Sequence, residues 1–351
     1  MRQWLTESVI KRFRGNNRQL FHCLRPALLL SWWRTWKTLP VLPWIAGAEY
    51  FKSGDFRLAA ESYRRGLEKY PHHRANFCAR LDYAYCLFQL NALSEAMAEL
   101  RKVVVQEPGL KDGHLLLAKL QLYTGQAVSA ARTMRRALDI FEADPQIILC
   151  FAHCVIAAKG PTAQLAEVRE KLRSLRARLD FADPYYSAVD AAIACYEFRF
   201  GDIEFADQLL VRVIASGGAP FEAFLAKGEH LLENGRISQA RDQFERAMCL
   251  VPQDPRPLTL LARCYLTEGD FYEPEHALQL ASMACSRSHY ENSEALSVLA
   301  DAYSAIGDMH GAMLISARMK ALTSTRQINF DYLRRVEQQL QRLRSVKLPT
   351  V

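Results

Sequence analysis

The chain has 351 residues, half of them apolar and about a quarter charged, with a formal net charge of +7. That is ordinary globular composition, which excludes wholesale disorder, and the length accommodates about two average domains. The charge is uneven: residues 1–39 hold eight Lys or Arg and one acid, Glu7, whereas the other 312 residues carry 37 of each sign. A neutral body has no excess charge to spread over phosphates, so a diffusely basic nucleic-acid coat is excluded.

The first expected element is a short helix over residues 3–14. Leu5, Val9 and Phe13 share one face, Trp4 and Ile10 flank it, and Lys11, Arg12 and Arg14 lie elsewhere. Gly15-Asn16-Asn17 marks a turn. Leu20, Phe21, Leu24 and the run Ala27–Trp33 follow, with Pro26 as a break or a helix start. All five tryptophans (Trp4, Trp32, Trp33, Trp36 and Trp44) fall within the first 44 residues. Basic residues interleaved with Trp and Leu compose an interfacial helix, whose cations each gain ~1 kcal/mol near anionic lipid. Residues 1–39 are therefore read as a basic amphipathic segment. It would dock on a membrane or membrane complex through Trp4, Leu5, Val9, Lys11, Arg12, Phe13, Arg14, Trp32, Trp33 and Trp36. Two other readings stand beside this one. The segment packs onto the body of the protein, or it is an organelle presequence, being Arg-rich and acid-poor. The expected location is cytoplasmic and peripheral to a membrane, or organellar in the presequence case. The longest stretch without Lys, Arg, Asp or Glu is 145–158, shorter than the ~20 residues a spanning helix needs. Nine cysteines, an odd number with no CxxC, argue against a disulfide framework and read as buried thiols.

Beyond residue 39 one pattern recurs. Gly54, Gly125, Gly160, Gly201, Gly235, Gly269 and Gly307 mark it, with Asn91 in the one missing slot. Five residues later come Ala59, Ala96, Ala130, Ala206, Ala240 and Ala312, with Ala277 three residues late. Seven residues earlier stand Gly47, Ala84, Ala118, Ala194, Gly228, Ala262 and Ala300. Small residues at these slots let two helices approach closely. The Gly or Asn ends the first helix in a left-handed conformation that other residues resist.

The pattern resembles the tetratricopeptide repeat family, whose 34-residue repeat is a helix–turn–helix. The resemblance implies an all-α, right-handed solenoid of about eight repeats. Repeats 1–4 would occupy 40–179, a spacer 180–186 and repeats 5–8 residues 187–326. Residues 327–351 would form a capping helix and tail, with Phe330, Leu333, Val336, Leu340 and Leu343 as the apolar stripe. Repeat 4 departs from the pattern: His153 fills a small slot, Leu165 the Ala slot, and Pro161 stands in the turn. Bulk at close-packing slots changes the interhelix angle or distance, so a bend at the spacer is one reading and a merely degenerate repeat the other.

In such repeats the first helix lines the groove. Carrying the family's inward positions over gives an apolar lining of Trp44, Phe51, Leu81, Tyr85, Phe88, Leu115, Lys119, Leu122, Cys150, Cys154 and Phe198. A charged lining of Glu229, Arg256, Arg263 and Asp301 follows, in which the two Arg fall between acids of adjacent repeats. Contiguous apolar surface of this size marks a binding site unless tight winding covers it. The implied partner is a protein, with a helix or extended segment in the groove. The full set of inward positions also includes Asp112, Glu222 and Glu294, so three bases stand against five acids, which excludes a nucleic-acid groove.

No Gly-rich phosphate loop, HExxH or GxSxG is present, so no catalytic residue is assigned. Cys150 and Cys154 share a helix face near His153, but two soft ligands do not make a metal site, and no cofactor is expected. The expected function is a non-catalytic scaffold or adaptor, tethered by residues 1–39. The alternative is a soluble assembly factor that shields an apolar segment of a partner, with residues 1–39 packed on its own solenoid.

Overall fold

The computed structural model describes residues 41–71, 73 and 76–325. The expectations for residues 1–39 and for the capping helix at 327–351 lie outside the described residues. Sixteen α-helices and no strand are present among the described residues. They form eight consecutive pairs: α1 Val41–Ser53 with α2 Phe56–Lys69, α3 Asn76–Gln89 with α4 Leu93–Gln106, α5 Lys111–Tyr123 with α6 Ala127–Ile140, and α7 Pro145–Ala157 with α8 Thr162–Arg178. The series continues with α9 Tyr186–Phe200 and α10 Ile203–Ala215, α11 Phe221–Glu233 and α12 Ile237–Leu250, α13 Pro255–Leu266 and α14 Pro274–Arg287, and α15 Ser293–Ala305 and α16 Met309–Thr325. The helices divide into two compact units, between Gly113 and His114.

Local chemistry explains where the helices start. Asp55, Asp144, Asp202, Asp254 and Asn292 each accept a hydrogen bond from a backbone N–H of the first turn. Each satisfies a donor the helix itself cannot, and Pro145 and Pro255 stand at positions where a missing N–H costs nothing.

Packing within the pairs follows the small-residue slots. Ala59, Ala96, Ala130, Ala206, Ala240, Ala277 and Ala312 are all fully buried. A Cβ on Gly47 would lie 3.0 Å from the Tyr63 ring, and a Cβ on Gly228 would overlap the Phe244 ring. The turns deviate in two places. Asn91 takes the left-handed conformation as expected, but in repeat 4 it falls on Lys159 (φ 47°) rather than Gly160. Gly201 is not left-handed; it is small because the Glu197 carboxylate folds over it to accept the Asp202 N–H at 3.2 Å.

Repeat 4 is joined to repeat 5 by charge. Arg169 and Arg173 reach the buried carboxylate of Glu197 at 3.2 and 3.8 Å. Arg176 reaches the buried Asp190 at 2.5 Å, and Arg212 reaches it at 3.8 Å. One apolar core nevertheless runs through α7, α8, α9, α10 and α11, across the spacer at 180–186. The compact units divide elsewhere, within the first turn of α5.

Candidate interaction surface

In the first compact unit, the face built by α1 and α3 carries an aromatic cluster. Phe51 lies 5.3 Å from Tyr85 and 5.7 Å from Phe56, and Tyr85 lies 6.3 Å from Phe88, measured between ring centroids. All four rings are half-buried, so each keeps an open edge. Two residues expected beside them are not on this surface. Trp44 is buried with its indole over Gly66, where any Cβ would overlap it, and its ring meets His73 at 5.1 Å. It fills the space between α1 and α2. Leu81 is likewise buried in the helix packing.

In the second compact unit the expected lining divides three ways. Cys154 and Phe198 are buried, and Leu115, Leu122 and Cys150 pack half-buried against the core. Closely stacked first helices leave no open surface above Cys154 and Phe198, so these two belong to the core rather than to a lining. Lys119, Arg263 and Asp301 are exposed, whereas Glu229 and Arg256 are half-buried.

The charges pair differently from the expected ladder. Arg256 grips Glu222 with two bonds of 3.0 and 2.8 Å and holds Asp254 at 2.9 Å. Its guanidinium also stacks on Phe221, 5.0 Å from the ring centroid. Glu229 pairs with Arg199 instead of an Arg of the next repeat. Arg199 is a residue the repeat register misses. It follows Phe198 by one position, and one residue turns a helix by about 100°. With Phe198 turned inward, Arg199 faces the acids.

These pairings set the local proton affinities. Burial works against the charge of Glu222, but Arg256, His153 and Arg199 more than offset it and hold the carboxyl below its usual range. Burial pushes the neighbouring His153 down, towards its neutral form. Burial and the Cys150 thiol both push Cys154 up, so it stays protonated. Among the described residues no group of three or more His, Cys, Asp or Glu is placed to hold a metal ion. No described helix is long and apolar enough to cross a membrane.

Consecutive helix pairs, packed through small residues and stacked in register, define a helical-repeat solenoid. Residues 50–120 match one profile of the tetratricopeptide repeat, and residues 191–257 and 225–273 match another. The chain thus carries tetratricopeptide repeats, and repeats of this class build protein-interaction scaffolds. It is 24% identical to U-box domain-containing protein 70 of Oryza sativa subsp. japonica over 251 residues, 70% of this chain and 29% of that protein. It is 23% identical to DnaJ homolog subfamily C member 7 of Mus musculus over 218 residues, 59% and 42% of the two chains. The chain thus spans less than half the length of the curated relatives it matches. Among solved structures, a tetratricopeptide repeat protein from Parabacteroides merdae ATCC 43184 superposes with a TM-score of 0.54 at 13% identity, over 75% of this chain and 98% of that one. Yeast Tom70 superposes with a TM-score of 0.52 at 14% identity, over 88% and 66%. At these identities the likeness concerns the fold alone.

Proposed function

We propose that the chain is a non-catalytic scaffold that holds a helix or extended segment of a protein partner against its first-helix face, anchored on Phe51, Tyr85 and Phe88 and on Phe56 at the start of α2. The half-buried aromatic cluster carries this reading. Aromatic rings offer large contact area at little entropic cost, and such anchors dominate interface energetics. Their partner edges are apolar, which suits the apolar stripe of an amphipathic segment. Replacing Tyr85 and Phe88 by Glu places charge on the anchor without touching the small-residue slots. The variant should melt as the wild type does and lose at least tenfold in affinity for the protein that co-purifies with the wild type. Unchanged retention of that protein would refute the assignment.

The proposal extends to residues 1–39 as a tether to an anionic membrane or a membrane complex, supported by their net charge of +7 and four tryptophans. Flotation with phosphatidylserine vesicles at low salt tests it. The full chain should float, and a chain starting at residue 40 should not. Equal flotation of the two would remove the tether from the account.

A further inference from the structure

The second helices of repeats 4 and 5 carry arginines that the folded chain only half uses. Beneath them lie two buried acids of α9, Asp190 and Glu197. Each carboxylate is reached by two guanidinia. At Glu197 these are Arg169 at 3.2 Å and Arg173 at 3.8 Å, and the same carboxylate accepts the Asp202 N–H. At Asp190 they are Arg176 at 2.5 Å and Arg212 at 3.8 Å. In each pair the nearer arginine is hydrogen-bonded and the farther one is not, since 3.8 Å is too long for a hydrogen bond. Arg173 and Arg212 are also 58% and 52% exposed. Their charge is drawn to the buried acid, but their N–H forks are open to a second carboxylate.

Asp190 and Glu197 stand seven positions apart, two turns of α9, so the two clusters lie about 10 Å apart along that helix. A groove of about 640 Å³ opens beside them, lined by Arg176, Phe205, Asp207, Gln208, Val211 and Arg212. Its one acid, Asp207, is already paired with Lys227 at 2.5 Å. Apolar surface accompanies the groove. Val211 is 66% exposed, and Phe181, 81% exposed, packs 5.3 Å from the Tyr186 ring on which Arg176 stacks.

We propose that this α8–α10 face is a second docking surface, fitted to an acidic amphipathic helix of a partner protein. Two acids seven positions apart on such a helix share a face, at the spacing of the Glu197 and Asp190 clusters, and apolar residues between them meet Phe205 and Val211. Charge complementarity selects this occupant. Both ends of the chain outside the described residues are basic, with eight Lys or Arg against one acid over 1–39 and six against two over 326–351. A second copy docked through the same face would set guanidinia against guanidinia. A nucleic-acid strand draws its affinity from many phosphate contacts, whereas the four guanidinia here already share two carboxylates. The surface belongs to the second compact unit and does not rest on the aromatic cluster of the first. A scaffold with both surfaces joins two partners.

The probe is a fluorescein-labelled, alanine-based helical peptide with glutamates at positions i and i+7 and leucines at i+3 and i+4. Its twin carries glutamine in place of both glutamates. Fluorescence anisotropy with the full chain should show the glutamate peptide binding at least tenfold more tightly than the twin. Arg173→Gln combined with Arg212→Gln should weaken that binding about tenfold. Arg136→Gln combined with Arg246→Gln, at exposed arginines elsewhere in the same unit, should leave it unchanged. Equal binding of the two peptides overturns the proposal, and so do equal losses in the two double variants. Val211→Glu covers the case in which the first double variant does not fold. It places like charge in the groove from an exposed position and should also cost about tenfold, and an unaltered affinity there overturns the docking surface. Tighter binding of an oligouridylate or of phosphatidylserine vesicles, lost in the Arg173→Gln/Arg212→Gln variant, would assign the face to phosphate and overturn it too.

Discussion

A half-buried acid in each compact unit is treated in the opposite way. In the first, Asp82 faces the Tyr63 hydroxyl at 3.1 Å, and burial pushes its carboxyl up to about 7 even though that hydrogen bond lowers it. In the second, Glu222 lies against the fork of Arg256 and is held below its usual range. Asp190 and Glu197 are likewise buried under Arg side chains. A hydroxyl satisfies a lone pair but does not replace the water that stabilised the charge, whereas a guanidinium does both. The small-residue packing is common to both units, so the difference lies in their polar interiors. The first unit also holds an inter-helix ion pair, Arg80 with Glu99 at 2.5 Å, so the contrast is between Asp82, which faces a hydroxyl, and Glu222, Asp190 and Glu197, which lie under Arg side chains.

The comparison breaks most severely if that guanidinium is removed. Arg256→Met keeps the stem but leaves the half-buried Glu222 and Asp254 without the cation that grips them, and should cost about 3 kcal/mol in urea unfolding, the low end for a buried pair. A loss under about 1 kcal/mol would mean that solvent already screens the pair. The shared packing is probed by Gly228→Val, whose side chain overlaps the Phe244 ring. Overpacking of that kind should cost roughly 3 kcal/mol, seen as a lower melting temperature by circular dichroism.

Asp82 sharpens the contrast through pH. Its folded pKa is raised, so the folded chain keeps a proton that the unfolded chain releases near pH 4. Stability from this group is therefore greatest in acid and is lost as the pH climbs from about 4 to about 7. Asp82→Asn should flatten that slope and recover on the order of 2 kcal/mol at neutral pH, read by hydrogen exchange of α3. An unchanged slope would place the proton elsewhere. The smallest effect belongs to Arg263, which is exposed. Arg263→Ala should change stability by less than about 0.5 kcal/mol at any salt concentration.

The repeat itself was legible because its cause is local. Ala96, Ala130 and Ala240 must be small for two helices to touch, and that demand returns with every repeat. Which side chains face the surface was less legible. Counting positions from the start of a repeat assumes a fixed helix rotation, and an offset of one residue exchanges Phe198 for Arg199. Trp44 read as surface because it is large and apolar at an inward position, yet Gly66 across the pair leaves room for it to turn in. The pairing of Glu222 with Arg256 was visible as neighbouring opposite charges. The hydrogen bond from the Asn292 side chain to the Tyr123 carbonyl oxygen at 2.8 Å was not, since two polar residues 169 positions apart leave no periodic trace.

The claim that the aromatic first-helix face is the partner-binding surface is tested most directly by site-specific photo-cross-linking in cells. A benzophenone amino acid would replace Phe88, beside Tyr85, or Val105, which is exposed on α4. The account predicts one dominant protein adduct from position 88 that is absent from position 105 and disappears when Tyr85 is also changed to Glu. The same adducts from both positions, or an adduct at 88 indifferent to Tyr85→Glu, would contradict it.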